Sequence, residues 1–415
     1  MAALSRRLRQ FAYPILYPGS GRKRVCFIGD SHVSYINSLS GSSEDRYIYG
    51  ALRKWQMQCD GLYSPGGSPL WITTFNAGFA SLSVGALQHS VQGYIAPHDV
   101  AQITPGAPIA DGTLLIRSDC DATALGNIYR GNPFTSQALT AKIIWWGRAD
   151  SLQTVRMRSG YTNDTYTEDT SNIDTRGADA YSSRSMSIAS SASLIPRWDS
   201  FTGSENETGR EWTYIGMRLE RATSTGGVSF ACLGNGGMSA TDYTDGTICN
   251  DARLQDWLAA VGPFDRFIQV TGTNMEVAES ADIRGVWAAK SLAMSQKFLT
   301  LNAAAGGPSD AMVLQITGHD ANITGRYAAM ADAVASCSAA DPRIAHLDTW
   351  GVLQSRGINY AAMAATYLAP DGVHFNSAGA DLLGGLLWEM FVTPPNAESS
   401  DRSARTSRII RAVRC

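Results

Sequence analysis

The chain has 415 residues, 44% of them hydrophobic, with ten tryptophans and a formal charge of −3. This excludes intrinsic disorder, and no run approaches the ~18 to 20 uninterrupted apolar residues of a membrane-spanning helix. Residues 1–24 hold six basic groups and no acid, and residues 401–415 hold five arginines against Asp401, which leaves an acidic body near −13. Such a distribution argues against a nucleic-acid enzyme and leaves the two basic ends as candidate contacts for a protein partner.

In chain order, residues 1–21 form a basic N-terminal arm. Its segment FAYPILYPG is broken by prolines and has no small-residue cleavage pattern, so it is not taken as a signal peptide. Residues 22–100 run as strand, loop, helix and a Gly/Pro-rich stretch: Val25–Ile28 is a short buried strand, RYIYGALRKWQ (46–56) has helical spacing, and YSPGGSP (63–69) is loop. From 101 to 226 the text turns rich in Ser, Thr, Gly and Asn, with apolar residues alternating with polar ones. TAKIIWW, TVRMRS, SMSIAS and WTYIGMRLER predict strands of an antiparallel sandwich or jelly roll. From 227 to 392 strands alternate with helices: VSFACLG, RFIQVTG and AMVLQIT are strands, and LQDWLAAV, DIRGVWAAKSLAMSQKFLTLNAA, RYAAMADAVAS and ADLLGGLLWEMF are helices. That rhythm predicts a parallel sheet covered on both faces. A basic tail, 393–415, closes the chain.

Four stretches carry chemistry. In FIGDSHVSYI, Ser31 directly follows a buried strand, at the end of a parallel sheet where open α/β folds bind ligands. A serine hydroxyl needs an imidazole to take its proton, and the imidazole needs an acceptor to hold its tautomer. In LAPDGVHFNSAGADLL, Asp371 and His374 supply both. A tetrahedral oxyanion needs placed N–H donors, and the loops LGNGGMSAT and VTGTNMEVAES offer the Gly237 amide and the Asn274 side chain. Singly, each stretch also reads as an ordinary turn or helix cap; together, with the serine and both donor loops after strands, they describe an acyl-transfer site.

These blocks, GDS at 29–31, GNGG at 234–237, GTN at 272–274 and DGVH at 371–374, resemble those of the SGNH (GDSL-like) hydrolases, in the family's order. The resemblance covers roughly 22–100 and 227–392. It implies a three-layer α/β/α, flavodoxin-like fold interrupted by an inserted all-β domain at 101–226. It also implies Ser31 as nucleophile, Asp371 and His374 as the rest of the triad, and Ser31, Gly237 and Asn274 as the oxyanion hole; the sequence itself holds no metal or nucleotide motif, so no cofactor and no metal are expected. Two departures stand out: Met275 replaces the acid that often ends the third block, which questions a loop-stabilising contact, and about two hundred residues separate the first two blocks where a few dozen are usual. Gly78 in NAGFASLSVG is a rival for Gly237.

His32 and His319 are candidate substrate contacts, the latter beside Asp320. The aromatics of the β-rich block, Trp145, Trp146, Tyr181 and Trp198 among them, are candidates for stacking on sugars, and the resemblance then implies removal of O-acetyl groups from a polysaccharide. A second reading, from another class, is a virion or surface-assembly component whose hydrolase-like fold mainly recognises glycan, such as a phage tail or fibre protein. Seven scattered cysteines without a CxxC pair predict a disulfide-independent fold. The compartment is not legible.

Overall fold

The computed structural model describes residues 2–19, 21–30, 32–33, 44–45, 59–65, 118–120, 125–127, 138–147, 154–162, 165–169, 173–174, 180–188, 197–200, 212–222, 227–234, 238–246, 249–317 and 326–392. Ten described strands build its central sheet, nine of them in one row: β1 Arg22–Gly29, β2 Cys59–Pro65, β3 Leu139–Gly147, β4 Ala180–Ile188, β5 Trp212–Arg221, β6 Gly227–Gly234, β7 Arg266–Thr271, β8 Met312–Thr317 and β9 Ile344–Leu347. Their order is β4-β3-β5-β2-β6-β1-β7-β8-β9, with Ser118–Cys120 also paired to β5. From β2 to β9 every pairing is parallel; from β2 outward through β5, β3 and β4 it is antiparallel.

The β-rich block thus contributes to two sheets. β3, β4 and β5 continue the parallel sheet, and Leu125–Asn127, Thr154–Thr162, Thr165–Asp169, Ile173–Asp174 and Arg197–Ser200 form a separate antiparallel one. An exposed edge at β2 would leave a row of backbone groups without partners, and β5 satisfies them. β2 itself is a correction, since its C-terminal residues 63–65 lie in a stretch expected as loop. The helix expected over 46–56 lies outside the described residues.

Register decides what the parallel half presents. Gly29 pairs with Gly234 on one side and with Val270 on the other, and Thr271 pairs with Thr317, so β1, β6, β7 and β8 end on one line. The loops after them therefore open on one rim. Strands buried on both faces read as continuous apolar runs, as in Val25–Ile28. Helices α1 Ala2–Leu16, α2 Asp251–Val261, α3 Ala288–Ala304, α4 Arg326–Ala340 and α5 Ser377–Val392 accompany the sheet. On one face Cys26, Ile28, Leu233, Phe267 and Val313 pack against Leu254, Trp257 and Leu258 of α2 and Met294 and Phe298 of α3. Phe27, Ile268 and Leu314 point the other way and are as fully buried. Two serines one turn apart on α3 meet two glutamines paired across β7 and β8: Ser295 donates to Gln269 (2.6 Å) and accepts from Gln315 (2.8 Å), while Gln269 donates to Ser291 (2.9 Å). The covering helix satisfies both polar ends of Gln269 and the Gln315 amide nitrogen, while Gln315 Oε1 has no partner among the described residues. Cys26, Cys249 and Cys337 are buried free thiols. Among the described residues no helix is long and apolar enough to cross a membrane.

The basic N-terminal arm is a folded element. Leu8, Phe11, Ala12 and Ile15 recur at helical spacing and are buried, while Arg6 and Arg9 face solvent. The helix packs on β8, β9 and α5, with the Phe11 ring 5.8 Å from that of Phe391. Pro14 lacks the N–H that would bond the Gln10 carbonyl. Buried Arg266 supplies a donor instead, to Gln10 O at 3.3 Å and Phe11 O at 3.1 Å. What holds this end is the protein's own body.

His346 of β9 lies close enough to α1 to feel Arg7. Burial, and secondarily the Arg7 charge, push its pKa from 6.5 down to about 4. The unfolded chain takes up this proton near 6.5 and the folded one only near 4, so the contribution to stability is present above 6.5 and lost as pH falls through that window. Thermal midpoints measured from pH 7 to 4 should fall less steeply for His346→Gln than for the parent; equal slopes would refute the assignment.

Candidate active site

The first block ends a strand abruptly. Gly29 has φ +145°, and a Cβ there would lie 1.7 Å from the Val270 carbonyl oxygen, the acceptor of the Asp30 N–H at 3.1 Å. Only glycine lets β1 leave the sheet so close to β7. The Tyr243 hydroxyl, from the short helix Ala240–Thr244, donates to the Gly29 carbonyl at 2.6 Å, with the Leu233 carbonyl 3.2 Å away. That contact ties the ends of β1 and β6.

Asp30 is fully buried. Its Oδ1 accepts the His32 N–H (3.0 Å) and lies 3.1 Å from His32 Nδ1, and its Oδ2 accepts the Thr273 N–H (3.3 Å). Burial alone would raise its pKa; the His32 ring and the two backbone donors outweigh it and hold the carboxyl below the ordinary range. The aspartate is thereby committed to joining the first and third blocks.

The third block begins at Gly272, whose φ is +121°. Asn274 follows, and its buried Nδ2 has no hydrogen-bond partner among the described residues. Such a group is costly unless something accepts from it. The loop carrying it is fastened from behind by Glu279, fully buried, which accepts from the Glu276 N–H (3.0 Å) and from the Thr241 N–H and hydroxyl (both 2.9 Å). Asp30 and Glu279 hold the loop in which Met275 replaces the usual acid. Sequence reading did not find Glu279; its signal was the Glu276-x-x-Glu279 capping box of helix Val277–Ala281.

The last block is a turn organised by one carboxylate. Asp371 Oδ1 accepts the Val373 N–H (2.9 Å) and the His374 N–H (3.0 Å), and Oδ2 lies 2.5 Å from His374 Nδ1. Gly372 takes φ +69° at the bend. The His374 carbonyl accepts from Ala369 N–H at 2.7 Å, and Phe375–Asn376 pairs with Glu44–Asp45. An ionised carboxylate only accepts, so Nδ1 carries the proton that Asp371 receives. His374 is 21% exposed and so reachable from solvent.

The structure brings these blocks together. The His374 ring lies 5.3 Å from the His32 ring, and His32 Nδ1 lies 3.1 Å from the Thr273 hydroxyl. His32, expected as a substrate contact, is 1% exposed. Ser31, Gly237, its rival Gly78, His319 and Asp320 lie outside the described residues.

Burial acts to raise the Asp371 pKa, but the Val373 and His374 backbone donors and the His374 ring overcome it, so the carboxyl is held below 3.8. Its stabilising contribution is present above that ordinary value and is lost as pH falls through the lower folded one. A carboxyl-carbon NMR titration should give Asp371 a midpoint under 3.8; a midpoint above it would contradict the loop geometry.

No family model matches the chain, and none of the curated proteins searched matches it in sequence. Among solved structures, a peptidoglycan O-acetylesterase is 14% identical with a TM-score of 0.52, over 99% of this chain and 96% of that one. The protein YxiM from Bacillus subtilis is 14% identical over 68% of this chain and 86% of its own, at TM-score 0.33. An acetyl xylan esterase from Butyrivibrio proteoclasticus is 10% identical over 62% and 89%, at 0.22. Of these three, the first alone exceeds the level at which a likeness describes a shared fold, and with the parallel sheet and its in-register rim it shows that the chain has an α/β, SGNH-like fold.

Proposed function

We propose that the protein is a serine esterase that removes O-acyl groups, acetyl first among them, from a polysaccharide. The observation that carries this reading is the Asp371–His374 pair, its imidazole ordered at 2.5 Å and packed on the ring of the residue next to Ser31. Ser31 is covalently bonded to both Asp30 and His32, each of which is anchored at the rim.

The chemistry follows from that arrangement. His374 Nε2 takes the Ser31 hydroxyl proton as Oγ attacks the ester carbonyl carbon. The tetrahedral oxyanion accepts from the Ser31 and Gly237 backbone N–H groups and from Asn274 Nδ2, a donor with no described competitor. Collapse breaks the bond to the sugar oxygen, which leaves with the proton returned by His374. Water, deprotonated by the same imidazole, then attacks the acyl-enzyme, releasing the carboxylic acid and restoring Ser31. Asp371 steadies the imidazolium in both halves. The acetyl group and the polysaccharide are favoured because the solved structure of like fold is named for peptidoglycan O-acetyl esters. The β-rich block is proposed as the part that meets the glycan.

The test is turnover of p-nitrophenyl acetate together with acetate release from acetylated polysaccharides. Ser31→Ala should lower kcat by about 10,000-fold or more. Unchanged activity in that variant removes the nucleophile; a parent that binds acetylated glycan without releasing acetate would make the protein a binding module instead.

A further inference from the structure

We propose that His32 is a positioning residue, a buried imidazole that locks together the three loops bearing Ser31, Asn274 and the Asp371–His374 pair. The inference rests on the esterase reading above and deepens it.

His32 and Asp30 are 1% and 0% exposed. An imidazole and a carboxylate are costly to bury unless each is partnered, and here the partners come from separate loops. Nδ1 lies 3.1 Å from Asp30 Oδ1, on its own loop, and 3.1 Å from Thr273 Oγ1, on the loop that carries Asn274. Asp30 Oδ2 reaches the same residue through its N–H. Nε2 lies 3.2 Å from the carbonyl of Val373, immediately before His374. A carbonyl only accepts, so Nε2–H donates to it. The His32 ring also packs on the His374 ring, and the Phe375 ring meets it edge-on at 5.0 Å. One side chain therefore reaches the loop of the proposed base by a hydrogen bond and the base itself by ring contact. The buried ring cannot touch substrate as an exposed subsite would; its leverage is on the distance between nucleophile and base. A displacement near 1 Å in such a pair costs on the order of 100-fold in rate.

Substitutions can separate the two ends of the ring. Gln places its amide near the Nε2 position and can still donate to Val373, whereas Asn reaches only the Nδ1 position, toward Asp30 and Thr273. With p-nitrophenyl acetate, His32→Phe and His32→Asn should each lose about 100-fold in kcat with KM within about twofold, and His32→Gln should recover to within about tenfold of the parent. A merely structural histidine would not sort Gln from Asn in kcat. Hydrogen exchange of peptides spanning 272–276 and 369–376 should rise together in His32→Asn relative to the parent. A kcat within twofold of the parent in His32→Asn, equal rates for the Gln and Asn variants, or unchanged exchange in both peptides each overturns the proposal. If His32→Phe fails to fold, the Gln and Asn comparison decides, alongside Thr273→Val, which removes only the hydroxyl contact and should lower kcat several-fold. A parent without esterase turnover would instead end the esterase reading, and the exchange measurement would then decide the loop lock by itself.

Discussion

The register of three parallel strands is the constraint on which the rest depends. Gly29 lies opposite Gly234 and Val270, so the loops that leave β1, β6 and β7 begin at the same height. Side-chain direction in a strand alternates, and a slip of one residue would turn each strand's apolar set to the opposite face. The core prevents that slip: Cys26, Ile28, Leu233 and Phe267 fit one face, against α2 and α3. Burial of the sheet and alignment of the rim are therefore one physical fact. The close passage of Gly29 past the Val270 carbonyl is its local expression, a position that a side chain would destroy.

Carboxylates finish what register begins. Asp30, Glu279 and Asp371 each accept from two or more donors and each pins a loop, but they differ in reach. Asp371 works inside its own turn, Glu279 spans from the third block to Thr241, and Asp30 spans from the first block to Thr273. Asp30 and Glu279 are fully buried, and their backbone and side-chain donors compensate the lost hydration, whereas Asp371 is exposed. The pattern leaves Asn274 Nδ2 without a hydrogen-bond partner among the described residues, while the three carboxylates are spent on geometry.

The two ends of the sheet are closed differently. On the β2 side the β-rich block adds antiparallel strands, so the parallel sheet and the block share a backbone hydrogen-bond network. On the β9 side, the basic first helix lies across the sheet margin and against α5. That helix contains a proline, and its stability in this place depends on Arg266, a buried guanidinium aimed at carbonyls of the helix turn that Pro14 interrupts.

The elements and the chemistry of the blocks were legible because they are local. The strands around Val25, Ile143, Met217, Ile268 and Leu314 announce themselves by apolar runs or alternation, and Asp371 with His374 sits in one turn three residues apart. The buried face of the first helix was also written in Leu8, Phe11, Ala12 and Ile15, but Pro14 and the arginines masked it. Tertiary structure alone decided the contacts that cross the chain: Thr273 to Asp30, 243 positions apart, Tyr243 to Gly29, 214 apart, and His32 to Val373, 341 apart. It also decided that β3, β4 and β5 extend the parallel sheet. The reason is that a side chain's preference for helix or strand, or for an acid–base role, is set by its own atoms and near neighbours, whereas a hydrogen-bond partner across the fold is chosen only after packing has fixed which backbone lies opposite.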